Sequence, residues 1–351
     1  MSANTLSAHP SLHVVAKWGD LNTEGQTWLA EKGQASDLFD LASLTKPILT
    51  SSLLMMTCER SQRTWSSFLE TTLGEWIPEL DNSALKDFKL RYLWEHRSGL
   101  ESHIDFDPTR SQKPERSAAW RTIATRIESD VRARGLSQGE VYSDLGFFLL
   151  GLGLERFHGR ALDELWSEWK SLHGIPETSL PFFKRGLDLP ALVPTETRYP
   201  LGEVNDNNAQ FLGGVAPHAG LAGTADDVWQ WLQTVRRWVA DSTKIAPWLQ
   251  VPEAWTWRFY CGWDTPEDPA TTLAGSGAPT DTLGHLGYTG TALWWSPSSA
   301  RAGVLLTNRI YPAHAPSNVE MIKNLRREFF SALWQGTLNS GWQIPINKNG
   351  S

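Results

Sequence analysis

Strand patterns stand at the two ends of this chain and helical patterns fill its middle, which few architectures accommodate. Residues 13–19 and 25–33 are short apolar runs separated by Asp20-Leu21-Asn22-Thr23-Glu24, the pattern of an antiparallel hairpin. Strand patterns return only at Trp257 to Trp263, Thr289 to Trp295 and Ala302 to Thr307, rich in aromatic and β-branched residues. From residue 44 to about 240 helical spacing dominates, with long Pro- and Gly-bearing loops at 98–116 and 174–224. Ser317 to Trp334 closes with Val319, Ile322, Leu325, Phe329 and Leu333 spaced for one helix face. The pattern predicts an α/β (α+β) fold: one antiparallel sheet built from both termini and flanked by helices, with a mainly helical lobe inserted. The expected division is 1–60 and 215–351 for the sheet lobe and 61–214 for the helical lobe. Ligand clefts favour such interfaces, so the active site is expected there.

The candidate nucleophile lies where the first helix begins. Phe39-Asp40-Leu41-Ala42-Ser43-Leu44-Thr45-Lys46-Pro47 passes from a strand-like approach (Leu38, Phe39, Leu41) into an apolar helix from Lys46 through Ile48, Leu49, Leu53, Leu54, Met55 and Met56. On a helix, positions three apart share a face, so Lys46 can reach back to the Ser43 hydroxyl. Pro47 fits a first turn, where its missing N–H costs nothing. Unpaired N–H groups and the positive helix end would stabilise anionic charge at Ser43. A bland reading is that Ser43 only caps the helix. Chance supplies roughly one S-x-x-K in a chain of this length, and this one holds three. Ser83-Ala84-Leu85-Lys86 lies in a polar stretch and Ser167-Glu168-Trp169-Lys170 on a helix surface, and both read as structural.

Three further segments favour chemistry at Ser43. Val141-Tyr142-Ser143-Asp144-Leu145-Gly146 sets a tyrosine and an aspartate two apart before an apolar helix. Gly284-His285-Leu286-Gly287-Tyr288-Thr289-Gly290-Thr291 precedes the strand from Ala292, with glycines that allow close backbone approach. Gly213-Gly214-Val215-Ala216-Pro217-His218-Ala219-Gly220 is a Gly-rich turn before a helix at Thr224. Gly135-Leu136-Ser137-Gln138-Gly139 matches G-x-S-x-G, but Val131 to Arg134 before it reads as helix or loop, and that motif needs a strand there.

These segments, in this order, resemble the serine β-lactamase and penicillin-binding-protein superfamily, closest to class C β-lactamase-like esterases, D-aminopeptidases and D-stereospecific carboxypeptidases. The resemblance runs from about residue 13 to 330, with Leu93 to Leu100 and Gly202 to Asp206 as further landmarks. It implies a β-lactamase-like fold with Ser43 as nucleophile and Lys46 as its base, a role that requires the lysine to be kept neutral by burial and a cationic or tyrosine-rich neighbourhood. It also implies Tyr142 as the proton carrier to the leaving group and an oxyanion hole at the Ser43 and Tyr288 backbone N–H groups. Asp144, Gly287, His218 and His285 would line the pocket, with His285-Leu286-Gly287 on an edge strand. Two positions depart from the lactamase pattern. His285 replaces a lysine and, with an unperturbed pKa near 6.5, is expected to be a weak cation that reads substrate carboxylates below neutrality. Asp144 replaces an asparagine and can only accept hydrogen bonds when ionised, so it is expected to hold Lys46 or a substrate amine.

The expected function is a serine hydrolase forming an acyl-enzyme on small esters or amides, with weak β-lactamase activity allowed. A D-Ala-type carboxypeptidase or D-aminopeptidase acting on cytoplasmic muropeptides is the alternative. A catalytically silent binding or sensor protein on the same fold is a third reading, which the retention of Ser43, Lys46 and Tyr142 together disfavours.

Composition narrows partners and cofactors. The formal charge of −7, from 32 basic and 39 acidic residues mixed along the chain, lacks the basic footprint of a nucleic-acid binder. The longest apolar patch, Leu145 to Leu154, is broken by three glycines and falls well short of the ~20 residues that span a bilayer. Met1 to Pro10 has neither a basic nor an apolar signal region, so a cytoplasmic location is expected. Two cysteines, Cys58 and Cys261, imply no disulfide framework. Nine histidines without H-E-x-x-H or cysteine-paired spacing imply no metal, and no cofactor is called for. His96, His103 and His218 read as pocket wall or packing. Nineteen tryptophans, some in pairs such as Trp166/Trp169 and Trp229/Trp231, read as packing rather than stacking platforms. Ile344 to Ser351 reads as a loose tail. Oligomeric state is left open.

Overall fold

The computed structural model describes residues 12–339 apart from 31, 110–112, 185, 186, 267, 269 and 270. The expected tail at Ile344 to Ser351 and the stretch Met1 to Pro10 lie outside the described residues. The first strand, β1 (Val14–Asp20), pairs antiparallel with β2 (Gln26–Leu29), as the hairpin pattern predicted. Two short strands, β3 (Phe39–Asp40) and β4 (Ala222–Gly223), pair with each other apart from the main sheet. The remaining strands are β5 (Phe259–Tyr260), β6 (Trp263–Asp264), β7 (Leu283–Leu286), β8 (Ala292–Trp295) and β9 (Arg301–Thr307). The sheet runs β2-β1-β9-β8-β7-β6-β5, every pair antiparallel. Its two halves meet where β1 pairs with β9, from Val14↔Thr307 to Asp20↔Arg301.

Among the described residues six helices have nine residues or more: α1 (Ser52–Arg60), α2 (Arg116–Arg134), α3 (Asp144–His158), α4 (Leu162–Leu172), α5 (Ala225–Ala240) and α6 (Pro316–Gln335). Side chains alternate across a strand, and the three central strands exploit this. Val14, Ala16, Trp18, Ala292, Trp294 and Leu305 face one apolar cluster with Ile322, Phe329, Phe330 and Leu333 of α6. Val15, Leu293, Trp295, Val304 and Leu306 face the other, with Val228, Trp231 and Val235 of α5. Each fully buried side chain of this size contributes about 1.5–3 kcal/mol. The sheet is therefore held by helices on both faces.

Two expectations change. Trp257 to Trp263 is not one strand: Cys261 (φ 47) and Gly262 (φ 84) turn the chain between β5 and β6. A Cβ at Gly262 would lie 2.2 Å from Ser51 Oγ and 2.5 Å from Trp94 Nε1, so this turn must carry glycine to dock on the helices. The strand with His285 is also not an edge, because the β5–β6 hairpin adds to it through Asp264↔Gly284.

Most of the described tryptophans pack the interior. Trp166 and Trp169 are buried and stacked at 4.9 Å, and Trp229 and Trp231 are buried. Trp263 sits among Trp231, Trp248 and Trp295 at 5.8, 5.5 and 6.0 Å. Among the described residues no helix is long and apolar enough to cross a membrane, and Leu145 to Leu154 forms the buried body of α3.

Candidate active site

From β3 the chain enters a 3₁₀ turn, Ala42–Leu44, then a wide π-type turn, Lys46–Ser51, before α1. Leu41, Leu44, Ile48 and Leu49 are wholly buried and anchor this junction. Ala42 takes φ 47, a left-handed conformation that costs an L-residue roughly 1–2 kcal/mol. Asp40 holds the bend: Oδ1 accepts the Ala42 N–H at 2.9 Å and Oδ2 the Asn205 N–H at 2.8 Å. Burial pushes the Asp40 carboxyl up to about 6, against the lowering effect of these two hydrogen bonds.

The bend leaves Ser43 half-buried beside a lysine that is wholly buried. Lys46 Nζ lies 3.0 Å from Ser43 Oγ, 2.7 Å from Asp144 Oδ1 and 3.4 Å from the His218 carbonyl oxygen. It also sits 4.9 Å from the Tyr142 ring centre. Tyr142 is near enough to both Lys46 and Ser43 for each to lower its phenol, against the raising effect of burial. Asp144 opens α3, where the positive helix end favours its carboxylate, and Ser143 caps that end by accepting the Gly146 N–H. His96 accepts the Ser143 N–H on Nδ1 at 2.9 Å and packs its ring 4.5 Å from Tyr142, fixing the phenol's plane.

The charge state of Lys46 corrects one expectation. Burial is the largest influence and would lower the ammonium, but Asp144 and Tyr142 outweigh it and Lys46 stands above the ordinary lysine value. Burial likewise works to raise Asp144, yet Lys46, His103 and His218 hold it below the usual carboxylate range. Tyr142 is raised, chiefly by burial, so the phenol keeps its proton. The resting arrangement is therefore an ammonium–carboxylate pair beside a neutral phenol, not a neutral lysine. Asp144 holds Lys46, one of the two partners expected for it, and that contact opposes the effect of burial on the lysine.

His285 corrects a second. It is buried on β7, and burial, aided by the Lys46 charge, pushes it down to about 3. Nδ1 donates to the Leu286 carbonyl at 2.9 Å, so Nε2 is a lone-pair acceptor. The ring is a neutral part of the wall, 6.1 Å from Tyr142.

The β7–β8 turn closes the site. Gly287 N–H donates to Thr291 O at 2.8 Å, Thr289 Oγ1 to Asp40 O at 2.7 Å and Thr291 Oγ1 to Leu41 O at 3.0 Å. A Cβ at Gly287 would meet Thr291 Oγ1 at 2.0 Å and Leu41 O at 2.8 Å, so only glycine lets the turn lie this close to the segment before Ser43. Among the described residues the Tyr288 N–H donates to no backbone group, and its exposed side chain stacks on His314 at 5.7 Å. Ser43 N–H sits in a first turn, where a helix leaves donors unpaired.

His218 is buried with Nε2 3.1 Å from Asp206 Oδ1 and its ring 4.3 Å from Phe148, as a wall residue. The other serines stand apart from this cluster. Ser167 bonds Glu177, Ser83 sits in a turn, and Ser137 is exposed just after α2, which ends at Arg134 and is capped by Gly135, so no strand precedes it. Sequence reasoning missed Asp40 and gave His103 only a passive role. His103 Nδ1 lies 3.6 Å from Asp144 Oδ2 and is raised by that contact. Asp40, three residues before Ser43, carries no local signal of its own. Among the described residues no cluster of side chains could hold a metal ion.

A profile of the Beta-lactamase family matches residues 14–323. The N-acetylmuramyl-L-alanine amidase of Bacillus subtilis (strain 168) is 26% identical over 312 residues, 79% of this chain and 69% of that protein. A protein of Escherichia coli (strain K12), provisionally named D-alanyl-D-alanine carboxypeptidase, is 24% identical over 324 residues, 81% of this chain and 71% of its own. A solved class C beta-lactamase mutant superposes with a TM-score of 0.66 at 14% identity, covering 94% of each chain. That likeness is one of fold.

Proposed function

We propose that this chain, which belongs to the Beta-lactamase family and is a serine hydrolase by that membership, forms its acyl-enzyme on Ser43. The observation that carries the reading is the wholly buried Lys46 Nζ at 3.0 Å from Ser43 Oγ, in a cluster completed by the partly buried Tyr142 and Asp144. In acylation, Ser43 Oγ attacks an ester or amide carbonyl and its proton passes to the small neutral fraction of Lys46. Tyr142, beside both, relays that proton to the leaving group; in deacylation the same groups take a proton from the attacking water. The N–H groups of Ser43 and Tyr288 receive the tetrahedral oxyanion. The site is proposed to lie between the sheet lobe (1–60 and 215–351) and the helical lobe (61–214).

Substrate charge follows from the wall. Asp144 cancels the Lys46 charge and His285 is neutral, so neither of these two groups offers a free cation to a substrate carboxylate at Ser43. Esters and amides with uncharged acyl groups are the proposed substrates. A second reading, a D-Ala-type carboxypeptidase or D-aminopeptidase acting on cytoplasmic muropeptides, is favoured by the likeness to an N-acetylmuramyl-L-alanine amidase and to a protein named as a D-alanyl-D-alanine carboxypeptidase. A cytoplasmic location, compatible with the two free, buried cysteines, is part of the proposal.

The test is fluorophosphonate labelling read by intact mass, beside hydrolysis of p-nitrophenyl esters, D-Ala-D-Ala peptides and nitrocefin. Ser43→Ala should lose label and turnover, while Ser83→Ala, Ser137→Ala and Ser167→Ala keep both. Retained labelling in Ser43→Ala would overturn the assignment. Preferred turnover of the peptides would favour the second reading.

A further inference from the structure

The turn that carries the Tyr288 N–H is held from behind by an unusual group. Arg326, on the inner face of α6, is 5% exposed, and its Nη2 donates to Gly287 O at 3.0 Å and to Thr291 O at 2.7 Å. Those carbonyls stand on the two sides of the turn, and Thr291 O also accepts the Gly287 N–H. Among the described residues no carboxylate pairs with it. Burial, and then the neighbouring Arg309, push it down to about 9, so it remains charged at neutral pH. An uncompensated buried cation is costly, and an apolar side chain of similar volume would be cheaper to place there.

Gly287 C=O and Tyr288 N–H belong to one peptide group. A cation hydrogen-bonded to the carbonyl oxygen draws electron density from the nitrogen and strengthens its N–H as a donor, the cooperative effect expected in a low-dielectric interior. The second bond, to Thr291, fixes where that N–H points. Resting on the Ser43 reading above, we propose that Arg326 is a positioning residue that orients and polarises the Gly287–Tyr288 peptide as the second donor of the oxyanion hole. Its stabilisation would appear only as negative charge develops on the substrate oxygen, and so would act on turnover rather than on substrate binding.

The experiment compares wild type, Arg326→Met and Arg326→Lys in kcat and KM for a p-nitrophenyl ester and in the affinity of an arylboronic acid, whose serine adduct is tetrahedral and anionic. Removing a whole oxyanion donor costs about 10²–10³ in kcat, so weakening one should cost Arg326→Met roughly 10- to 100-fold. KM should stay within about twofold, and boronate affinity should fall by a factor similar to kcat. Arg326→Lys, which keeps the charge but can reach fewer carbonyls, should fall between the two. A folded Arg326→Met with wild-type kcat, or with kcat lost while boronate affinity is kept, overturns the proposal. If Arg326→Met does not fold, Arg326→Lys decides: parallel losses in kcat and boronate affinity support it, and unchanged kcat overturns it. Wild-type protein that takes no fluorophosphonate label sinks the Ser43 reading and this inference with it, whereas a labelled, active wild type matched by its Arg326 variants sinks this inference alone.

Discussion

Asp144→Asn is the substitution on which the proton chemistry turns. Lys46 and Asp144 stand 2.7 Å apart with the lysine wholly buried. At an effective dielectric constant near 20, opposite unit charges at that distance attract by about 6 kcal/mol. Desolvating each ion costs several kcal/mol in opposition, so the net effect on Lys46 is better taken from neighbouring charges in general, about 1–3 pKa units. The sign is fixed by the chemistry. In the proposed mechanism Lys46 must be neutral to accept the Ser43 proton, and Asp144 stabilises the ammonium and so delays that form to higher pH. An uncharged asparagine leaves burial, the largest influence, to push Lys46 down. The rising limb of kcat/KM for a p-nitrophenyl ester should then move about 1–3 units toward acid, with activity at fixed pH on that limb gaining roughly tenfold per unit. The assay is the kcat/KM profile of both proteins from pH 5 to 10. A limb that stays in place or moves toward alkali refutes the reasoning, and so does a folded variant inactive at every pH, which would make Asp144 itself the proton acceptor.

Other perturbations probe the rest of the site. Lys46→Ala and Tyr142→Phe should be strongly non-additive, because each breaks the same proton path; additive losses in the double mutant would separate them. The ratio of kcat/KM for nitrocefin to that for a p-nitrophenyl ester should stay flat from pH 5 to 8, since His285 is neutral throughout that range; a rise below pH 6.5 would show that His285 titrates. Asp40→Ala leaves the Ala42 and Asn205 N–H groups without their acceptor, at roughly 1–3 kcal/mol each. It should lower the urea midpoint and slow Ser43 labelling together, and slower labelling with unchanged stability would give Asp40 a purely local role.

What the sequence disclosed was whatever repeats with a short period or sits at a fixed short spacing. The first hairpin and α6 were readable from alternation and from a helical stripe, and Ser43 with Lys46 from a three-residue offset. The β5–β6 hairpin was not, because its reversal depends on Cys261 adopting φ 47, which the residue type does not announce. Charge states were the least legible. His285 and Lys46 were named as site residues, but their protonation depends on burial and on Asp144, neither of which is local. Arg326 is one of two adjacent arginines on α6, and only its approach to a turn 39 residues earlier distinguishes it.

The pairing of β1 with β9 has a consequence for how the chain reaches this shape. His13 N–H bonds Asn308 Oδ1 across 295 positions, so the central seam of the sheet joins the earliest described segment to one near the end of the described chain. During synthesis, the β1–β2 hairpin must wait with one edge unpaired until β9 leaves the ribosome, and two-stranded hairpins are marginal alone. That open edge, with Val14, Val15 and Ala16 along it, is the exposed surface most apt to recruit another chain. Truncation before residue 301 should therefore yield aggregation rather than a smaller folded protein, and assembly of the sheet should be slow for a chain of this size because its defining contact is so distant in sequence.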